Sequence, residues 1–212
     1  DVIDVSVGHG AGTFNIALDL ALKMDDEEIL CEANNRFKQY LKNTDSINPD
    51  IQDVVFSLVA WSGGVSYEQL LRLYKEAPSQ EQKIRFLGAL SSFKDPKLLQ
   101  RTLELSQSNE VRSQNMHIPI IRISSNQYGK KILWPWLKKN WKKIRVKVGV
   151  GSPLLNRVVS SVSAVADDAM QNDIKLFFTK NPTPGTEMTL LQTLERIRIH
   201  SQFIKRLKTE FV

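Results

Sequence analysis

One cysteine in 212 residues, Cys31, excludes an internal disulfide framework, and no Asn-x-Ser/Thr sequon offers a glycosylation site. A reducing, cytoplasmic setting is therefore expected. No run approaches the roughly 20 apolar residues of a membrane helix, and the start DVIDVSVGHGAG lacks the basic beginning and apolar centre of a signal peptide. No membrane partner is expected. The histidines His9, His117 and His200 stand far apart in sequence, with no H-E-x-x-H or other ligand spacing, so no metal site and no cofactor are expected in this chain. No G-x-S-x-G elbow frames a serine, and the stretch from Gly8 to Gly12 fits neither a P-loop nor a dinucleotide fingerprint. No catalytic residue is assigned. A beginning at Asp1 without methionine leads us to expect a fragment or a processed product.

What is present is an ordinary globular composition, 42% hydrophobic and 25% charged, with a net charge of +6. The surplus is concentrated. Residues 130–147 hold eight Lys or Arg and no acid, interleaved with Trp134, Trp136 and Trp141. Cations among aromatic rings suit nucleic acid, where charge neutralises phosphate and rings stack on bases. Helical spacing gives the simpler account. Trp134, Leu137 and Trp141 recur at intervals of three and four, a buried stripe, while Lys138, Lys139, Lys142 and Lys143 fall on the solvated sides. No nucleic-acid partner is expected.

Along the chain, helix follows helix. Phe14 to Leu22 and Ile29 to Leu41 carry apolar residues at helical spacing, and Cys31, near Leu30 and Phe37, is placed in the core. Asn48 before Pro49 and Asp95 before Pro96 are N-caps followed by proline at the first helical position, where its missing N–H costs nothing. Ser66 with Gln69, and Ser79 with Gln82, have capping-box spacing. Helices are predicted near 50–61, 66–76, 80–92, 96–107, 110–124, 127–147, 153–163, 167–180 and 187–210. The joints are too short for strands or crossovers, so neighbours lie antiparallel. Prolines 119 and 135 fall inside predicted helices, and a break is expected near each. The fold is read as all-α, an irregular superhelical stack of about eleven helices in antiparallel pairs, of armadillo or HEAT type. Residues 1–12 are read as a flexible start and 13–212 as a single domain.

The order of motifs in the second half carries a resemblance. Val111, Arg112, Gln114 and Asn115 follow a pattern I-R-x-Q-D. Gly129, Leu133, Trp134, Trp136, Leu137, Asn140 and Trp141 follow G-x-x-L-x-W-x-F-[LV]-x-x-N-W. Gly149, Gly151 and Ser152 form a glycine joint, and Leu194, Glu195, His200 and Phe203 lie along a last helix. This order resembles the C-terminal helical domain of the zinc aminopeptidases that include aminopeptidase N, puromycin-sensitive aminopeptidase and the endoplasmic reticulum aminopeptidases. Asn115, Pro135, His200 and Phe203 depart from the family's letters.

The resemblance implies a non-catalytic domain that closes the active-site chamber and touches the distal part of peptide substrates. Its partner would be the catalytic domain of the same protein, and that missing domain would hold the zinc. The parent enzyme would remove N-terminal residues from peptides. It also implies a cationic wall: Arg157, in the stretch resembling S-x-x-L-x-R-V-V, is the first candidate for contacting substrate, with Arg112 and Arg198 as further candidates. A free-standing helical scaffold that binds a protein in its groove is the alternative reading.

Overall fold

The computed structural model describes residues 26–165 and 167–210. Among them are ten α-helices, three short 3-10 turns and no strand. The helices are α1 (Glu27–Lys42), α2 (Pro49–Ser62), α3 (Tyr67–Glu76), α4 (Gln80–Leu90), α5 (Pro96–Gln107), α6 (His117–Ser125), α7 (Lys130–Val148), α8 (Pro153–Ser161), α9 (Asp168–Lys180) and α10 (Glu187–Glu210). The expected helix around Phe14 to Leu22 and the expected flexible start lie outside the described residues.

Local chemistry sets the helix starts. Free backbone N–H groups of a first turn need acceptors, and side-chain oxygens supply them. Asn48 accepts from Asp50, Ser66 from Gln69, Ser79 from Gln82 and Asp95 from Lys97, with Pro49 and Pro96 opening their helices. Asp26, Ser152 and Asp167 do the same for α1, α8 and α9. The start of α7 has no such cap and is fixed by close packing instead. A Cβ on Gly129 would meet Ile123 at 2.5 Å, so only glycine lets the chain turn there from α6 into α7.

Helices α2, α4, α6, α8 and α10 pack one on the next in a continuous row. The odd-numbered helices lean on that row, α1 on α2, α3 on α4, α5 on α6 and α9 on α10. One hydrophobic core runs from Ala33 to Ile197. It is dense in rings at two places. Tyr40 and Phe86 flank Phe56, at 4.8 Å between centroids in each case. Further along, Trp134 and Trp141 of α7 meet Phe177 and Phe178 of α9 at centroid distances of 5.1 to 6.1 Å. Edge-on ring pairs add about 0.5–1.5 kcal/mol each beyond the area they bury.

The expected stripe on α7 is buried, with Trp134, Leu137 and Trp141 at 2%, 1% and 3% exposure, and the four lysines beside it face solvent. Three expectations are corrected. Helix α7 is not split at Pro135. The proline ring is exposed and gives up one backbone bond, while Trp134 and Trp136 on either side are anchored in the core. The segment read as one helix over 110–124 is a 3-10 turn, Ser113–Asn115, followed by α6. Pro119 therefore falls in a first turn, where no N–H is needed. Cys31 is exposed, not core: α1 buries Ala33, Phe37 and Tyr40, and two residues of helix turn Cys31 about 200° from Ala33.

Candidate functional site

Arg157 lies on α8, whose start is fixed by Pro153 and by the Ser152 hydroxyl accepting from the Leu154 backbone N–H. Leu155, Val158 and Val159 turn into the core, which leaves Arg157 on the exposed side. Its guanidinium nitrogen stands 3.1 Å from Nε2 of His117, the first residue of α6. A guanidinium has donors only, so Nε2 accepts and the imidazole is neutral, with its proton on Nδ1. Burial pushes the His117 pKa below the ordinary value, and the charge of Arg157 pushes it further; the Gln114 backbone pulls weakly the other way. Nδ1 is buried and closes no hydrogen bond with the described residues.

This pairing has a chemical consequence. Histidine orients Arg157 without neutralising it, since no carboxylate among the described residues pairs with that guanidinium. Of five N–H donors, most remain free for a ligand. One turn further along α8, the Ser160 hydroxyl accepts a hydrogen bond of 3.1 Å from Arg196 of α10. Residues 157 and 160 share a helix face, so Arg196 is tethered to the side of α8 that carries Arg157. The arrangement suits a carboxylate, with a fork-shaped donor that no acid among the described residues neutralises.

The other sequence candidates are placed elsewhere. Arg198 is exposed and makes two hydrogen bonds to Glu195 on its own helix, which neutralises it. Arg112 precedes the 3-10 turn and lines an open groove between α5 and α7. No hydrogen bond or ion pair among the described residues joins Arg112, Arg157 and Arg198. Sequence reasoning missed His117 and Arg196. His117 matches no motif, and a contact across 40 residues leaves no local signal. Arg196 is separated from Arg198 by two positions, enough to put it on another side of α10.

Among the described residues, no three His, Cys, Asp or Glu side chains stand together as metal ligands. The free electron pair of His117 faces a guanidinium, where a metal cation would meet like charge. The residues present do not fit a zinc site. No described helix is long and apolar enough to cross a membrane.

A family model described as ERAP1-like C-terminal domain matches residues 12–199. Aminopeptidase 2, mitochondrial, of Saccharomyces cerevisiae is 32% identical over 184 residues, 85% of this chain and 19% of that protein. Aminopeptidase M1 of Arabidopsis thaliana is 31% identical over 190 residues, 87% of this chain and 21% of that protein. Human glutamyl aminopeptidase is 28% identical over 193 residues, with 89% and 20% covered. The chain thus spans about a fifth of the length of these curated relatives.

Proposed function

This chain belongs to the ERAP1-like C-terminal domain family, and on that premise we propose that it is the non-catalytic C-terminal domain of a zinc aminopeptidase, a single helical unit that closes the active-site chamber. The parent protein removes N-terminal residues from peptides. Its zinc is held by the catalytic domain, the partner of this chain, and its location is the cytoplasm, which fits an exposed, unpaired Cys31. The even-numbered helices form the wall that faces the chamber. Support comes from their continuous packing, since the inner helices of a curved stack lie closer together than the outer ones.

On that wall Arg157 receives the distal carboxylate, or an acidic side chain, of a bound peptide. One observation carries this assignment: Arg157 is held by a neutral histidine and by no acid. In a partly desolvated chamber, an unneutralised guanidinium binds a carboxylate by charge-assisted hydrogen bonds.

The test is to add the purified chain to an aminopeptidase core that lacks its own C-terminal domain. Restored cleavage of peptides is expected, and Arg157→Ala should raise KM for peptides with a free or acidic distal end while leaving kcat on a short aminoacyl reporter unchanged. Failure to bind the core, or zinc-dependent cleavage by the isolated chain, overturns the proposal. A free-standing scaffold, the alternative, is favoured less because every relative named above continues well beyond the matched segment.

A further inference from the structure

The groove that contains Arg112 is bounded by the last turns of α5 and α7 and by the loop from α5 to α6. Its volume is about 830 Å³, within the range of clefts that hold ligands. Arg112, Lys142, Lys143 and Lys147 line it against a single acid, Glu104. Part of this charge has a structural explanation. Helix C-termini carry partial negative charge and favour cations, and Lys147 serves that purpose by donating to the backbone carbonyls of Ser106 and Ser108 at the end of α5. The other three are not used in this way. Among the described residues, Arg112, Lys142 and Lys143 make no ion pair and no side-chain hydrogen bond, and all three are exposed. Gln107, also in the lining, keeps a buried Nε2 donor without a partner.

We propose that this groove binds an acidic polypeptide segment, with Arg112, Lys142 and Lys143 as the carboxylate-binding groups. Three unneutralised cations converge on one concavity, which is the charge complement of a carboxylate-rich ligand. The remaining lining distinguishes polypeptide from nucleic acid. Gln107, Ser108 and Asn109 offer acceptors as well as donors, and a peptide backbone can use both, whereas a phosphodiester backbone only accepts. The rings a single strand would stack on are absent from the groove, because Trp134, Trp136 and Trp141 of α7 are buried in the core. Val146, in the lining and 78% exposed, adds an apolar contact for a side chain between the acids. This site is separate from the Arg157 site: Arg157 does not line the groove, and the inference stands without the chamber-wall reading.

The test uses the full 212-residue chain and fluorescein-labelled hexaglutamate, followed by polarisation at about 50 mM salt, where exposed charges are weakly screened. Lys142→Glu combined with Lys143→Glu is the main variant, Arg112→Ala the second and Lys38→Ala, on α1 and outside the groove lining, the control. All are exposed positions, and equal thermal melts establish that each variant is folded. The chain should bind hexaglutamate, and the double reversal should weaken binding by about tenfold or more, as expected for lost charge-assisted bonds at a wet surface. Arg112→Ala should weaken it less, and Lys38→Ala should leave it unchanged. No binding by the unaltered chain overturns the proposal, as does equal weakening by Lys38→Ala, which would mean only diffuse attraction to a basic protein. Tighter binding of a mixed-sequence RNA dodecamer than of hexaglutamate, lost in the same variants, would assign the groove to nucleic acid instead.

Discussion

His117 should make the fold weaker in mild acid, and the sign follows from its surroundings. The ring is buried against the Arg157 guanidinium, so its folded pKa lies below the ordinary 6.5 that applies to the unfolded chain. As pH falls below about 6.5 the unfolded chain takes up a proton that the folded chain refuses. The stability contributed by neutral His117 is complete above that value and is lost as pH falls toward and through the folded pKa. For one proton the steepest loss is about 1.4 kcal/mol per pH unit. Urea unfolding from pH 8 to pH 5, followed by the fluorescence of four buried or nearly buried tryptophans, measures it directly. Carboxylates such as Asp173, held below its usual range by Lys138 and Trp134, titrate lower and change little across this interval. His117→Gln should remove the slope, leaving a flatter profile that crosses that of the native chain. Arg157→Ala should reduce the slope without abolishing it, because burial, the larger cause, persists. A His117→Gln profile parallel to the native one, or a native chain that gains stability below pH 6.5, would refute the reasoning.

Three further outcomes are expected. Arg122 of α6 pairs with Asp53 of α2, at 26% and 18% side-chain exposure, while the second Asp53 oxygen is buried and unpartnered; Arg122→Ala should cost about 2–3 kcal/mol in urea unfolding, more than Asp53→Asn, because it strands a half-buried carboxylate. Gly88 of α4 sits beneath that pair, with an added Cβ 3.2 Å from Asp53 Oδ1, so Gly88→Ala should fail to yield the gain of about 1 kcal/mol usual for a helix, and a double-mutant cycle with Asp53→Ala should recover it. Trp141→Ala should cost about 3–5 kcal/mol, as for large core truncations, since the indole packs on Phe177 and Phe178; a loss under 1 kcal/mol would show that the cluster refills.

Helix number and position were legible because the signals are local. Asn48, Ser66, Ser79 and Asp95 each act within three residues of themselves, and cap chemistry does not depend on what the helix later packs against. The failures came where tertiary packing overrides a local rule. Pro135 has a local cost, and the burial of Trp134 and Trp136 outweighs it. Cys31 was misplaced because Leu30 beside it is only partly buried, and the true inward stripe of Ala33, Phe37 and Tyr40 depends on where α2 lies. The candidate site was half legible. Arg157 follows from an ordered resemblance, but its histidine partner lies 40 positions away from it in sequence, beyond the reach of periodicity.

Pairing with an acid distinguishes several described cations from those proposed to bind ligand. Arg36, Arg85, Arg101, Arg122, Lys138 and Arg198 each face an acid, four of them Glu32, Glu81, Glu68 and Glu195 at exposed positions, and such pairs contribute little beyond local order. Those acids remove any field the cations would project toward a ligand. Arg157 keeps its charge because its neighbour is a base that burial holds neutral, and Arg112, Lys142 and Lys143 keep theirs because the helix end between them is already served by Lys147. Among the described residues, an anionic ligand therefore meets unneutralised charge at Arg157, beside a neutral base, and in the α5–α7 groove, where Lys147 already serves the helix end. Replacing His117 by glutamate would test the Arg157 assignment directly: the new carboxylate should neutralise Arg157 and abolish its contribution to peptide KM.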